Sequence, residues 1–156
     1  GSTPATPPEF EFLKNQAWPA SMRNNLRLLF GRWLAQHAWY DEALEQLDGL
    51  AIGDVVDPAS LLFYQSVARH RLLQKDACLP ALTLLLENEE TIPRRYSTLA
   101  RLMEADIKPL KVDSLDEVSR MMNEVQRRLD FGRAGGRVRK QEDDVIAKLD
   151  KLIGAA

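Results

Sequence analysis

The residues of this chain that could most readily do chemistry are two histidines and one cysteine, because imidazole and thiolate groups serve as bases, nucleophiles and metal ligands. Neither His37 nor His70 has a Cys, His or carboxylate at the spacing of a metal site. His37 also falls at the predicted end of a helix, where an imidazole commonly faces solvent or the helix dipole. Cys78 lies in an apolar stretch, which predicts a buried and unreactive thiol.

Longer catalytic motifs are also missing from the sequence. It contains no P-loop, no dinucleotide-binding fingerprint and no Gly-x-Ser-x-Gly motif. The glycine-rich segment 129–137 matches none of these spacings, and a break between two helices explains it better. The adjacent carboxylates at 89–90 and 143–144 fall on predicted solvated helix faces. We therefore predict that the chain is not an enzyme and has no catalytic residue, metal or cofactor.

Basic side chains give a stronger signal, because they concentrate towards the C-terminus. Residues 94–156 carry 14 Lys and Arg against 11 Asp and Glu, whereas residues 1–93 carry 7 against 12. Six of the basic residues cluster in segment 127–140, where Asp130 is the one acidic residue: Arg127, Arg128, Arg133, Arg137, Arg139 and Lys140. Such a cluster can bind nucleic acid or another polyanion.

The other interpretation of this cluster is a solvated pair of helices whose arginines pair with Glu124, Glu142 and Asp143. No aromatic residue other than Phe131 is interleaved with the basic residues, and the chain has a net charge of -2. Both observations favour the second interpretation over nucleic-acid binding.

The elements that must position these groups are helices. Two apolar sets recur with helical spacing: Leu26, Leu29, Phe30, Trp33 and Leu34, then Ala43, Leu44, Leu47 and Leu50. There is room between them only for a tight turn, which predicts two antiparallel helices, the first packed through that apolar face. Gly31 costs about 1 kcal/mol relative to Ala in mid-helix. It therefore predicts a close helix crossing, with Ala43 on the opposite side.

The segment FGRWLAQHAWYDEALEQL resembles a tetratricopeptide repeat. That family's pattern is a large apolar residue followed by Gly or Ala, then an aromatic residue, then Tyr-x-x-Ala-Leu. The residues that carry it are Phe30-Gly31, Trp33-Leu34 and Tyr40-Asp41-Glu42-Ala43-Leu44. Arg27 departs from the pattern, because the family usually has an aromatic residue there. The resemblance implies a right-handed array of antiparallel helical hairpins.

Two further segments extend the resemblance to about residues 21–106. Pro58 opens a predicted helix to Leu73, and 77–86 forms the returning helix, with Pro80 in its first turn. Pro93 opens a third helix, which ends near 106. The small crossing residues align as Gly31, Ala68 and Ala100, at offsets of 37 and 32 residues. These offsets bracket the family period of about 34 residues.

The rest of the chain predicts two more helices. A capping box at 114–117 begins the first, and its apolar positions follow a heptad pattern: Leu115, Val118, Met122, Val125 and Leu129. Glycines then interrupt it before a last amphipathic helix at 137–153. These helices either fold back as a cap, which we favour because two to three heptads are marginal alone, or project as a coiled coil that makes the chain oligomeric.

The predicted organisation therefore has three parts. Residues 1–9 are a tag remnant and a Thr/Pro-rich linker, 10–109 are the repeat region, and 110–156 are capping or coiled-coil helices in the same domain or projecting from it. The Thr/Pro-rich start suggests that a signal peptide, an anchor or another domain preceded it. The compartment is not encoded in these patterns.

The resemblance also implies a binding groove. Arg32, Arg69 and Arg101 directly follow the aligned small residues, at a place that faces the concave groove in this family. The implied groove residues are Arg32, Arg69, Arg101, Asn25, Gln36, Gln65, Arg94 and Ser97. They would take an acidic or extended peptide through Arg–carboxylate contacts. The alternative is that the arginines pair with carboxylates on adjacent helices.

Together these patterns predict an all-α protein of six or seven helices that binds a partner protein or acidic peptide without catalysis, as a scaffold or adaptor. Oligomerisation through the C-terminal helices and polyanion binding through 127–140 are the alternatives, and nucleic acid is the less favoured partner. No apolar run approaches the ~18 residues of a membrane span, so none is expected.

Overall fold

The computed structural model describes residues 18–130 and 136–154, with side chains described for 18–129 and 140–154. All regular structure in these ranges is helical, which confirms the all-α prediction. The elements are α1 (Ala20–Gln36), α2 (Tyr40–Leu47), a short 3-10 helix (Ile52–Asp54), α3 (Pro58–Arg71), α4 (Lys75–Glu87), α5 (Arg94–Ile107), α6 (Leu115–Asp130) and α7 (Gly136–Gly154). The linker predicted at 1–9 lies outside the described residues.

Contacts divide the described chain into two compact units. One ends at Lys108 and contains α1 to α5, and the other begins at Pro109 and contains α6 and α7. Within the described ranges, no helix is both long enough and apolar enough to cross a membrane.

The first unit is built from two helical hairpins and a fifth helix. α1 and α2 form the first hairpin, α3 and α4 form the second hairpin, and α5 follows. α3 packs on both helices of the first hairpin, and α5 packs on both helices of the second. The first helices α1, α3 and α5 therefore pack side by side.

Both hairpins close with the same turn, 35 residues apart along the chain. Ala38 and Leu73 have φ angles of 61° and 59°, in the left-handed region. In each turn the next residue donates its backbone N–H to the carbonyl five residues earlier, at 2.8 Å. This is the Schellman arrangement, which satisfies the last carbonyl groups of a helix and reverses the chain.

The shared turn fixes which residues of the two hairpins correspond. Three pairs of buried core side chains match at this spacing: Ala43 with Cys78, Leu47 with Leu82, and Leu50 with Leu85. The same spacing matches Gly31 with Ser66, which is completely buried. The predicted alignment of Gly31 with Ala68 is therefore wrong by two residues, because the turn and not the next small residue sets the correspondence.

The contact between α1 and α2 is centred on Gly31. A Cβ atom there would lie 2.6 Å from Leu47 Cγ, closer than side chains tolerate. The predicted close crossing is thus confirmed, but Leu47 and not Ala43 lies opposite.

The face of α1 that packs differs from the predicted one. Its buried residues are Leu28, Gly31, Leu34 and Ala35. Of the predicted apolar face only Leu34 is buried, and Leu29 is 57% exposed. The helix has turned its small residues towards α2, because they allow the closest approach of the two backbones.

Two prolines and one N-terminal cap mark the helices of the second hairpin. Asp57 caps α3 by accepting the Ser60 N–H at 3.1 Å, and Pro58 occupies the first helical position. α4 begins at Lys75, two residues earlier than predicted, so Pro80 lies beyond the first turn. The helix continues past this lost hydrogen bond because its apolar side is buried, including Leu82 and Leu85.

The second unit is an antiparallel helical pair, the C-terminal hairpin (α6 and α7). At one end Arg128 Nη1 donates to Gln141 Oε1 at 3.0 Å, and at the other Lys148 Nζ lies 2.5 Å from Glu117 Oε1. The predicted N-terminal cap of α6 is present, since Ser114 Oγ accepts the Glu117 N–H at 3.2 Å.

Candidate partner-binding surface

Arg69 and Arg101, two of the three aligned arginines, make ion pairs within the chain. Arg69 Nη2 lies 2.5 Å from Asp48 Oδ1, and Arg101 pairs with both carboxylate oxygens of Glu89. Asp48 directly follows α2, and Glu89 follows the end of α4. Arg69 therefore joins α3 to the end of α2, and Arg101 joins α5 to the end of α4.

Arg32 has a different environment. Its Cζ atom lies 5.6 Å from the centroid of the Tyr64 ring, which places the guanidinium over an aromatic face across the α1–α3 contact. Gln36 donates from Nε2 to the Tyr64 hydroxyl at 3.2 Å. No carboxylate in the described ranges pairs with Arg32. Arg32 and Gln36 thus lie together beside one tyrosine.

Two arginines that the sequence did not single out share this environment. Arg71 of α3 lies over Tyr40 at 5.4 Å, and Arg95 of α5 lies over Tyr96 at 5.1 Å. Neither makes an ion pair with a described carboxylate. By the spacing of 35 residues, Arg71 corresponds to Gln36, so α1 and α3 carry polar side chains at matched positions. Each of the three first helices therefore carries one arginine held over a tyrosine.

The rings beneath Arg32 and Arg95 belong to a continuous aromatic contact between α3 and α5. Phe63 stacks on Tyr96 with ring centroids 4.1 Å apart, and Tyr64 meets Tyr96 edge-on at 6.2 Å. Ser60 Oγ lies 2.8 Å from the Tyr96 hydroxyl oxygen. All three rings are buried, so they form a fixed base for the guanidinium groups of Arg32 and Arg95.

The remaining residues of the predicted groove divide into separate groups. The Asn25 side chain accepts the Val56 N–H at 2.8 Å, which ties α1 to the connection between the hairpins. The buried Gln65 donates to the Leu47 carbonyl at 2.9 Å and joins α3 to α2. Three other residues of the predicted groove line one cavity of about 440 Å³: Arg94, Ser97 and Arg101.

The predicted basic cluster is described only in part. Arg127 donates to Glu124 at 2.5 Å, and the buried Arg128 pairs with the same carboxylate at 3.5 Å. Lys140 is exposed. Arg133 lies outside the described residues, and the side chains of Arg137 and Arg139 are also outside them.

The second unit contains an ion cluster that was not predicted. Asp113 accepts from Lys148 at 2.7 Å and from Lys151 at 2.6 Å. Hydrogen bonds from these two lysines lower the pKa of Asp113 to about 2. Asp113 lies 35 and 38 positions from the two lysines, and only the i, i+3 spacing of the lysines hints at a shared partner. The cluster ties the segment before α6 to the C-terminal half of α7.

The histidines and the cysteine bond to neighbouring groups. His37 stacks on Trp33 at 4.0 Å, and His70 Nε2 lies 2.6 Å from Asp106 Oδ2, across the α3–α5 contact. Burial raises the pKa of Cys78 to about 11. In the described parts of the chain, no group of three or more His, Cys, Asp or Glu side chains could hold a metal ion.

The geometry thus gives four candidate partner-binding residues, each beside a tyrosine: Arg32 and Gln36 of α1, Arg71 of α3 and Arg95 of α5. Comparisons of the chain with protein-family models, curated proteins and solved structures found no match.

Proposed function

We propose that this chain is a non-catalytic protein–protein interaction module, and that α1 to α5 form a tetratricopeptide-like array. The repeated turn and the side-by-side packing of α1, α3 and α5 support this reading. The spacing of 35 residues is close to the family period of about 34 residues. In such arrays the first helices line the concave face, which is where a partner segment binds.

The observation that carries the proposal is the contrast between two kinds of arginine. Arg69 and Arg101 are already neutralised by carboxylates of the chain. Arg32, Arg71 and Arg95 lie over tyrosine rings, and no described carboxylate pairs with them. A guanidinium stacked on a ring keeps its N–H donors available at its edge, where they can bind a carboxylate in bidentate geometry.

We therefore propose that Arg32, Arg71 and Arg95, with Gln36, recognise acidic side chains of a partner segment. The buried rings hold the guanidinium groups in place before binding, which reduces the conformational entropy that binding removes. Arg69 and Arg101 have a structural role in this proposal, since each joins two helices.

A fluorescently labelled hexaglutamate peptide tests this assignment by anisotropy at low salt. We expect Arg32→Ala and Arg71→Ala each to weaken binding about tenfold, which is about 1.4 kcal/mol. Arg69→Ala and Arg101→Ala are matched controls that should change affinity less than about threefold, because their guanidinium groups are already paired with Asp48 and Glu89. Hexalysine should not bind. The proposal fails if hexaglutamate does not bind, or if all four variants weaken it equally.

A further inference from the structure

The C-terminal hairpin exposes a row of large apolar side chains. On α6 they are Leu115, Met122 and Leu129, seven residues apart, and on α7 they are Ile146 and Ile153, also seven apart. Their exposed fractions range from 40% to 73%. We call these five residues the C-terminal apolar face. Side chains seven residues apart lie on one line along a helix, and apolar residues with this spacing typically pack against another helix.

Both lines lie on the same side of the hairpin. On α6, Leu129 comes one residue after Arg128, which binds Gln141 of α7. On α7, Ile146 comes one residue after the buried Val145. One residue turns a helix by about 100°. In each helix, the apolar line therefore lies about 100° further around the helix axis than the side that contacts the other helix. Because the two helices run antiparallel, these equal rotations bring the α6 line and the α7 line to the same side of the hairpin.

The size of this face indicates a protein partner. The five side chains expose apolar area on the order of 500 Å² together, which is at the upper end of what soluble monomers expose in one patch. If two such faces met, they would bury on the order of 1,000 Å², the minimum for a specific interface. The face is therefore large enough for a dimer of this chain.

Charges beside the face favour one arrangement of two copies. The exposed edge of α6 carries Asp116 with the neutral residues Ser119 and Asn123, while that of α7 carries two aspartates, Asp143 and Asp150. If α7 lay against the α7 of a second copy, these aspartates would face each other and repel. A two-fold axis parallel to the helices instead places α6 against the partner's α7, so that the edge with two aspartates meets the edge with one described aspartate.

We infer that the C-terminal apolar face binds the same face of a second copy and forms a four-helix dimer, with α6 of each copy against α7 of the other. This contact does not depend on the candidate partner-binding residues of the first unit. Met122 and Ile146 lie at about the same level of the hairpin, given the Arg128–Gln141 and Glu117–Lys148 contacts at its two ends. Met122 of one copy therefore meets Ile146 of the other.

Sedimentation equilibrium of the full chain between about 1 and 200 μM tests the dimer, since this range spans micromolar association. We expect the wild type to dimerise, and Met122→Glu and Ile146→Glu each to weaken association at least about tenfold, with unchanged helicity by circular dichroism. Val56→Glu is the control, because Val56 is 86% exposed on the other unit. A wild type that stays monomeric throughout, or a dimer that both variants leave intact, overturns the inference.

Disulfide trapping tests the arrangement without relying on a destabilising charge. Met122→Cys protein mixed with Ile146→Cys protein should form a cross-linked heterodimer on mild oxidation, while each alone should not cross-link. The native Cys78 is buried and should not interfere. Cross-linking of Met122→Cys protein with itself, or none in the mixture, overturns the proposed pairing of α6 with the partner's α7.

Discussion

At the scale of single residues, Gly31 decides how closely the first two helices approach. The missing side chain leaves room for Leu47, which is fully buried in the opposing helix. Leu47 cannot move into solvent, because the core surrounds it. The energy that glycine costs in mid-helix is therefore offset by the packing that its small size allows.

We expect Gly31→Ala to destabilise the protein by about 1–3 kcal/mol, because the overpacking of Leu47 exceeds the gain in helix propensity of about 1 kcal/mol. Urea denaturation followed by circular dichroism measures the change. Gly53→Ala is the matched control, since a Cβ atom there meets nothing within 4 Å. A Gly31→Ala variant as stable as wild type would show that α1 and α2 do not cross this closely.

The arginines show how far single residues can be interpreted from sequence. Arg32 was placed in the predicted groove through its neighbour Gly31, and it does reach an aromatic ring. Arg71 was missed, because nothing in the chain around it tells which ring lies beneath it. Arg95 was missed although the ring beneath it, Tyr96, is the next residue in the chain. The ring under Arg71, Tyr40, belongs to another helix, and only the packed hairpins bring the two together.

At the scale of elements, the turn that ends α1 and α3 is the feature that organises the first unit. It places Ala38 and Leu73 in the left-handed region, where a residue with a side chain costs about 1–2 kcal/mol. Glycine is the usual residue at this position. The chain tolerates the cost in both hairpins, because the turn satisfies helix carbonyls and aligns two packed helices.

Replacing Ala38 with glycine should remove part of this cost. We expect Ala38→Gly to stabilise the protein by about 0.5–1 kcal/mol and to raise the melting temperature by a few degrees, after the added flexibility of the unfolded chain is counted. Ala51→Gly is the control, because Ala51 has an ordinary φ of -92° and should gain nothing. A lower melting temperature for Ala38→Gly than for Ala51→Gly would contradict the proposed strain.

The same turn explains which parts of the fold could be predicted. Helix starts were visible because prolines and caps mark them, as at Pro58 and at the Ser114 cap of α6. The correspondence between hairpins was not visible, because both turns use residues that carry no turn signal. The packed face of α1 was also misassigned, since hydrophobicity favoured its larger residues whereas the backbone approach selected Gly31 and Ala35.

At the scale of the whole molecule, the chain has two compact units with most contacts inside each. The first is held by an apolar core that runs through both hairpins. The second is smaller and adds an ion cluster around Asp113 to its buried valines. Units with separate cores can lose structure separately.

Hydrogen exchange measured by mass spectrometry should show this independence. Gly31→Ala should lower the protection of amides in α1 to α5 and leave those in α6 and α7 nearly unchanged. Val145→Ala, which removes a buried side chain of the C-terminal hairpin, should do the reverse. Equal loss of protection in both units for either variant would show that they unfold as one.

The buried cysteine gives the chain a reporter of its own opening. Cys78 is completely inaccessible, its Sγ donates to the Ser66 carbonyl at 3.6 Å, and its pKa of about 11 leaves little thiolate at neutral pH. An alkylating reagent can therefore reach this sulfur only when α4 separates from α3. The rate of labelling, read by intact mass in untreated protein, would count these rare events without any added dye or substitution.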